Sequence, residues 1–142
     1  MAAINTGRLW LGAVAGAVVW ILWSGVVNFA VLAPRYQVAQ DAGMLLKAPR
    51  YNFFVGLWFL VLFLLTLVGA WLYAGVRATY GAGPKTALKV GVLLGFATGF
   101  PMSFSTATWA PLERVFPLWW MLELWLGAVL ATFVAAWLYR DR

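Results

Sequence analysis

The sequence predicts an all-α fold, a polytopic membrane protein built as a four-transmembrane-helix bundle. Three observations predict it. Four apolar stretches fill most of the chain, each near the ~20 residues that a helix needs to cross the hydrocarbon core. Of 142 residues, 65% are hydrophobic and 10% charged, against roughly 45–50% and about 25% in soluble domains. The apolar runs are continuous rather than alternating. That favours helices over a closed barrel, the other structure whose backbone is satisfied inside lipid.

The first span is placed at about 9–33. It is longer than the apolar region of a signal peptide, and Pro34 follows the plausible cleavage point, so it is read as a retained helix. A loop over 34–50 follows, bracketed by Pro34 and Pro49. It suits a brief interfacial helix with Val38, Leu45 and Leu46 toward lipid, or coil. The second span is placed at about 51–76. It ends before a turn rich in breakers, Tyr80-Gly81-Ala82-Gly83-Pro84-Lys85. The third span, about 88–109, contains Pro101, which removes a backbone hydrogen bond and should kink the helix near Ala97. Ser103, Ser105, Thr106 and Thr108 follow and are placed to satisfy freed carbonyls. The fourth span is placed at about 117–139. No segment is long enough for a second, soluble domain, so residues 1–142 form one unit.

Charge sets the threading. Arg8, Arg77, Lys85, Lys89, Arg140 and Arg142 fall on the side holding both termini, and Arg35, Lys47, Arg50 and Arg114 on the other. The positive-inside rule then puts both termini in the cytoplasm. The net charge of +6 belongs to helix ends, where anionic headgroups attract it. With no basic stripe or stacking platform, nucleic acid is not an expected partner.

Histidine and cysteine are both absent. That excludes His-ligated haem, Cys-ligated clusters, ordinary zinc sites and disulfides, and it removes the commonest general base. No nucleophile–base pair, paired carboxylates or phosphate-binding glycine loop takes their place. A membrane enzyme acting on lipid would lack an evident nucleophile.

Small residues recur every fourth position, on one helix face. The first span has Gly12 and Gly16, then Ser24 and Asn28. The third has Gly91, Gly95, Gly99, Ser103 and Ala107. The fourth has Glu123, Gly127, Ala131 and Ala135. Such stripes let backbones approach closely in lipid. They predict that the third and fourth spans pack through these two lines. The spans also hint at two repeated hairpins. Ala70-Trp71-Leu72-Tyr73 with Arg77 matches Ala136-Trp137-Leu138-Tyr139 with Arg140, and glycine pairs open the first and third spans. The plainer reading is that Trp, Tyr and Arg seat each helix at the interface.

The few polar groups in the spans gather toward the outer side: Ser24, Asn28, Ser103, Thr106 and Glu123, with Arg114 in the last outer loop. Glu123 is singled out, because an ionised carboxylate in hydrocarbon is costly and must be partnered, protonated or turned to the bundle. Arg114, Ser103, Thr106 and Asn28 are its expected partners. The cluster reads either as a small outward pocket for a cation, a proton or a polar headgroup, or as a clamp that fixes helix register. Among ten tryptophans, Trp10, Trp71 and Trp137 suit the inner interface. Trp109, Trp119 and Trp120 suit the outer one. Trp20, Trp58 and Trp125 lie deeper, as packing or as walls for a flat ligand. No cofactor is predicted; a lipid, an isoprenoid or a pigment is the class of group such walls accept.

Trp71-Leu72-Tyr73-Ala74, then Arg77, then Tyr80 through Ala87, resembles a group of uncharacterised small bacterial inner-membrane proteins with four predicted helices. The closing Ala136-Trp137-Leu138-Tyr139 is similar to their C-terminal ends. The resemblance implies a bacterial inner-membrane location and a four-helix bundle, and no activity. The expected function is that of a non-enzymatic accessory subunit of a larger membrane complex, or of a homo-oligomer, in contact with membrane lipids. The alternative is a small transporter, or a protein binding a lipid or hydrophobic ligand through the outward pocket around Glu123.

Overall fold

The computed structural model describes residues 3–140. Helix α1 spans Thr6–Gly25 and runs into a π-helical turn, Val26–Val31. Then come α2 (Ala33–Asp41), α3 (Phe54–Tyr80), α4 (Pro84–Trp109) and α5 (Val115–Leu138). Among the described residues there is no strand. Four units, Thr6–Val31, Phe54–Tyr80, Pro84–Trp109 and Val115–Leu138, are long and apolar enough to cross a membrane. The chain is a multi-pass, four-helix membrane bundle. Arg142, which entered the charge count, lies outside the described residues.

Local chemistry sets the helix ends. The Asn5 side chain accepts the Arg8 amide at 3.2 Å and caps α1. Between α3 and α4, Gly81 and Gly83 take φ of 83° and 128°, values that side chains with a Cβ rarely adopt. Pro84 then sits in the first turn of α4, where a missing N–H costs nothing. Helices α3 and α4 therefore run further than hydropathy suggests. They stop at this glycine–proline turn, not where the lipid core ends. The π-helical turn left no mark on hydropathy. There the Leu32 amide reaches back five residues to the Val27 carbonyl at 2.9 Å, and the extra residue turns the following backbone.

Helix α5 lies between the others and uses opposite faces for them. Its line Gly127, Ala131, Ala135 meets α1. A Cβ on Gly12 would fall 2.8 Å from the Ala135 carbonyl oxygen, and one on Gly16 would fall 2.6 Å from that of Ala131. A Cβ on Gly127 would strike the Trp20 indole. The α4 stripe instead meets Met121, Trp125 and Val129. Cβ atoms on Gly91 and Gly99 would lie 2.7 Å from the Val129 Cα and 3.0 Å from the Met121 carbonyl oxygen, and one on Gly95 would strike Trp125. The α4–α5 contact is thus as expected, but its seam is not. Residues two apart point to nearly opposite sides of a helix, so 121, 125 and 129 cannot share a face with 123, 127 and 131. Gly95 of α4 receives Trp125, and Gly91 and Gly99 admit the α5 backbone; the small line of α5 receives α1.

Pro101 does not interrupt α4, which is continuous from Pro84 to Trp109 with Pro101 exposed. The hydroxyls after it bond within their own turns, Thr106 to the Met102 carbonyl (2.9 Å) and Thr108 to that of Phe104 (2.8 Å). In α2, Val38 is exposed as expected; so is Leu46 beyond it. Leu45 instead packs inward against the cluster of Val27, Leu32, Ala39 and Phe116.

At the end holding both termini the two matching motifs meet. Tyr73 and Tyr139 contact edge to face at 6.3 Å, and the Arg77 guanidinium lies over both rings, 5.7 and 5.1 Å from their centroids. The Tyr139 hydroxyl accepts the Asn5 amide (3.1 Å) and the Tyr73 hydroxyl the Gly83 amide (3.0 Å). The neighbouring Trp71 and Trp137 face outward.

Gly16→Ala should destabilise the bundle by about 1–3 kcal/mol through overpacking. Gly56→Ala and Gly75→Ala, where nothing lies within 4 Å of the added methyl, should be neutral or stabilising by up to about 1 kcal/mol. Unfolding in mixed micelles, followed by circular dichroism, separates them. Equal responses at all three positions would refute the assigned α1–α5 seam.

Candidate functional site around Glu123

Glu123 lies on the α1-facing line of α5 and is 4% exposed. An indole or hydroxyl buried beside it needs an acceptor, and α5 supplies several. Trp20 Nε1 donates to the Glu123 carbonyl oxygen (3.0 Å) and Trp23 Nε1 to that of Leu122 (3.1 Å). A helix carbonyl has a second lone pair for such a bond. Gly127, one turn on, leaves room for the Trp20 ring to reach it. On the carboxyl group, Oε1 accepts from the Ser24 hydroxyl of α1 and from Trp58 Nε1 of α3 (3.1 Å). Oε2 has no hydrogen-bond partner among the described residues. One side chain thereby joins three helices.

The network continues outward. Asn28, in the π-helical turn, donates from Nδ2 to the Ser24 carbonyl (2.9 Å) and accepts at Oδ1 from the Tyr36 hydroxyl (2.7 Å). Tyr36 in turn accepts from Trp120 Nε1 (2.9 Å). Burial pushes the Tyr36 phenol above its ordinary 10.0. The Trp120 hydrogen bond opposes that shift, and the coulombic effect of Glu123 adds to it. The phenol therefore keeps its proton at neutral pH and can serve as donor to Asn28.

Of the predicted site residues, Ser24, Asn28 and Glu123 come together, and the other three do not join them. Ser103 is buried on the α4 stripe, which meets the Met121/Trp125 side of α5, turned away from Glu123. Its depth was legible, but its direction was not. Thr106 is half-buried and bonds to Met102. Arg114 is exposed before the first turn of α5, and Glu113 pairs with Arg35 at 2.9 Å on the surface. Sequence reading missed Trp23 and Tyr36; it took Trp20 and Trp58 as packing or as walls for a flat ligand, and Trp120 as an interfacial ring. The signal was present as a mismatch of needs. A buried acid without a cation at its depth needs neutral donors, and deep indoles need acceptors.

The donors around Glu123 are neutral, and no group of three or more metal-ligating side chains occurs among the described residues. The arrangement can hold helices in register. Through Oε2 it can also accept one more hydrogen bond or face one cation.

Glu123→Leu leaves the Ser24 hydroxyl and the Trp58 indole without their acceptor, at about 1–3 kcal/mol each. Glu123→Gln keeps an acceptor oxygen and should lose less than half as much. Denaturant titration in mixed micelles measures both, and equal losses would mean that the hydrogen bonds carry no stability.

The chain matches no protein-family model, no curated protein and no solved structure.

Proposed function

We propose that the protein is a non-catalytic integral membrane component, an accessory subunit of a larger membrane assembly or a self-associating bundle. The observation that carries this reading is the use made of Glu123. The single acidic side chain inside the spans is spent on Ser24 and Trp58, tying α1 and α3 to α5. Reactive centres leave such groups aimed at a substrate; here Oε1 is turned inward. The first turns of α3 add support, with Phe53, Phe54, Val55 and Leu57 exposed, a broad apolar face for lipid or a neighbouring helix. Native mass spectrometry after gentle extraction tests the reading. Discrete assemblies containing further copies or other membrane chains are expected, and a lone monomer under the same conditions would overturn it.

Oε2 favours a second reading, a small transporter or a binding site for a cation or polar headgroup. In that case Glu123→Gln would abolish uptake or binding while the bundle stays folded. If the Glu123→Gln variant retained function, the carboxylate would be structural.

The resemblance of the Tyr80–Ala87 turn and its flanking Trp-Leu-Tyr motifs supports placement in a bacterial inner membrane. The basic excess at Arg8, Arg77, Lys85, Lys89, Arg140 and Arg142 supports cytoplasmic termini. The native chain has no cysteine, so Lys85→Cys and Lys47→Cys can be labelled singly. A membrane-impermeant maleimide applied from outside should label position 47 and spare position 85. The reverse pattern would invert the topology.

A further inference from the structure

The half of α4 toward Trp109 carries a surface that the rest of the bundle leaves open. Phe96, Phe100 and Phe104 stand one turn apart and stack, with ring centroids 5.3 and 5.5 Å apart and interplanar angles of 16° and 9°. Trp125 of α5 meets Phe96 and Phe100 edge on, at 5.6 and 6.3 Å, and backs the row. Beside it, each one residue further along, run Ala97, Pro101 and Ser105, all exposed. Residues four apart form one ridge or one groove on a helix. A tall row of phenyl rings therefore borders a low row of smaller side chains.

Acyl chains leave part of this surface unanswered. The exposed Lys89 sets the headgroup level near the α3–α4 turn, and a hydrocarbon core of ~30 Å takes ~20 residues from there, up to Trp109. Ser105 then lies ~6 Å inside hydrocarbon, at ~1.5 Å per residue. Thr106 and Thr108 spend their hydroxyls on carbonyls of their own helix, whereas the Ser105 hydroxyl makes no hydrogen bond among the described residues. Lipid tails offer it no partner.

We propose that two copies of the chain meet on this face of α4, the phenyl ridge of each lying in the Ala97, Pro101 and Ser105 groove of the other. The proposal rests on the self-associating form of the functional reading and names its surface. Shape, hydrogen bonding and backbone access select a second copy. Ridge and groove lie side by side at one depth, so a two-fold axis along the membrane normal seats both pairs at once, as an isologous interface requires. Copies threaded alike place Ser105 opposite Ser105, and a hydroxyl both donates and accepts, so the pair satisfies itself. Small side chains at every fourth position let the two backbones come close. An unlike membrane chain would need its own row of rings and a hydroxyl at the same depth.

The absence of native cysteine makes the test direct. Ser105→Cys, and as a control Leu57→Cys on the exposed first turn of α3, are each oxidised with copper phenanthroline in membrane vesicles. A disulfide needs Cα atoms within about 7 Å, so Ser105→Cys should give a covalent dimer and Leu57→Cys should not. Ala97→Phe, added to Ser105→Cys, fills the groove on a surface that the single bundle leaves open, and the dimer yield should fall about tenfold. Circular dichroism checks that this variant folds, and the comparison of positions 105 and 57 stands without it. No cross-link at position 105, equal cross-linking at both positions, or a yield unchanged by Ala97→Phe in the folded protein overturns the proposal. Native mass spectrometry of the unaltered chain separates this failure from that of the broader reading. Assemblies with other membrane chains and no Ser105→Cys cross-link would overturn the dimer and leave the subunit reading standing; a lone monomer would overturn both.

Discussion

Helices in a bilayer gain little from hydrophobic burial against one another, because lipid tails are as apolar as leucine. What holds them is close backbone approach and the satisfaction of polar groups that lipid cannot solvate. In this chain both requirements meet on one line of α5. Gly127, Ala131 and Ala135 admit the α1 backbone, and Glu123 heads the same line. With a carboxyl group there, α1 must arrive with a donor, and Ser24 is that donor. Helix α3 must supply another, and Trp58 does. The absence of a side chain at Gly127 lets Trp20 reach the Glu123 carbonyl. Register, rotation and spacing of α1 and α3 follow from meeting these needs together.

The two ends of the bundle solve different problems. Toward the α2 end, a network runs from Glu123 to the Ser24 hydroxyl, from the Ser24 carbonyl to the Asn28 amide, and from Asn28 through Tyr36 to Trp120. The π-helical turn belongs to this solution, carrying Asn28 between Ser24 and Tyr36. At the terminal end, tyrosines bond to backbone instead. Tyr73 and Tyr139 take the amides of Gly83 and Asn5, which fastens the α3–α4 turn and the segment before α1 to the bundle. Arg77 stacks on both rings. A cation stacked on tyrosines thus marks one end, and neutral donors around an acid the other.

Hydropathy and the four-residue spacing of small side chains made the helices, their order and the α4–α5 contact readable in advance. Depth along a helix was readable as well, which is why Ser24, Asn28 and Glu123 were grouped. Direction around the helix was not. Ser103 and Glu123 stand at similar depth, yet a stripe of small residues names no partner, and α4 took the bulky side of α5. The tryptophans were legible as aromatic mass but not as donors, since an indole N–H matters only once a specific carbonyl or carboxylate lies within reach. The α3 and α4 ends followed glycine and proline chemistry rather than hydropathy, because a helix ends at its caps and not at the edge of lipid.

Glu123 and its neutral donors hold the bundle together as one coupled set. A double-mutant cycle on Ser24→Ala and Glu123→Leu, read by unfolding in mixed micelles, tests it most directly. The claim predicts that the two losses are not additive, with a coupling of about 1 kcal/mol, in the range measured for hydrogen bonds between membrane helices. Strict additivity would contradict it and would leave close packing of small residues, with the Trp20 and Trp23 bonds to α5 carbonyls, to set the α1–α5 interface.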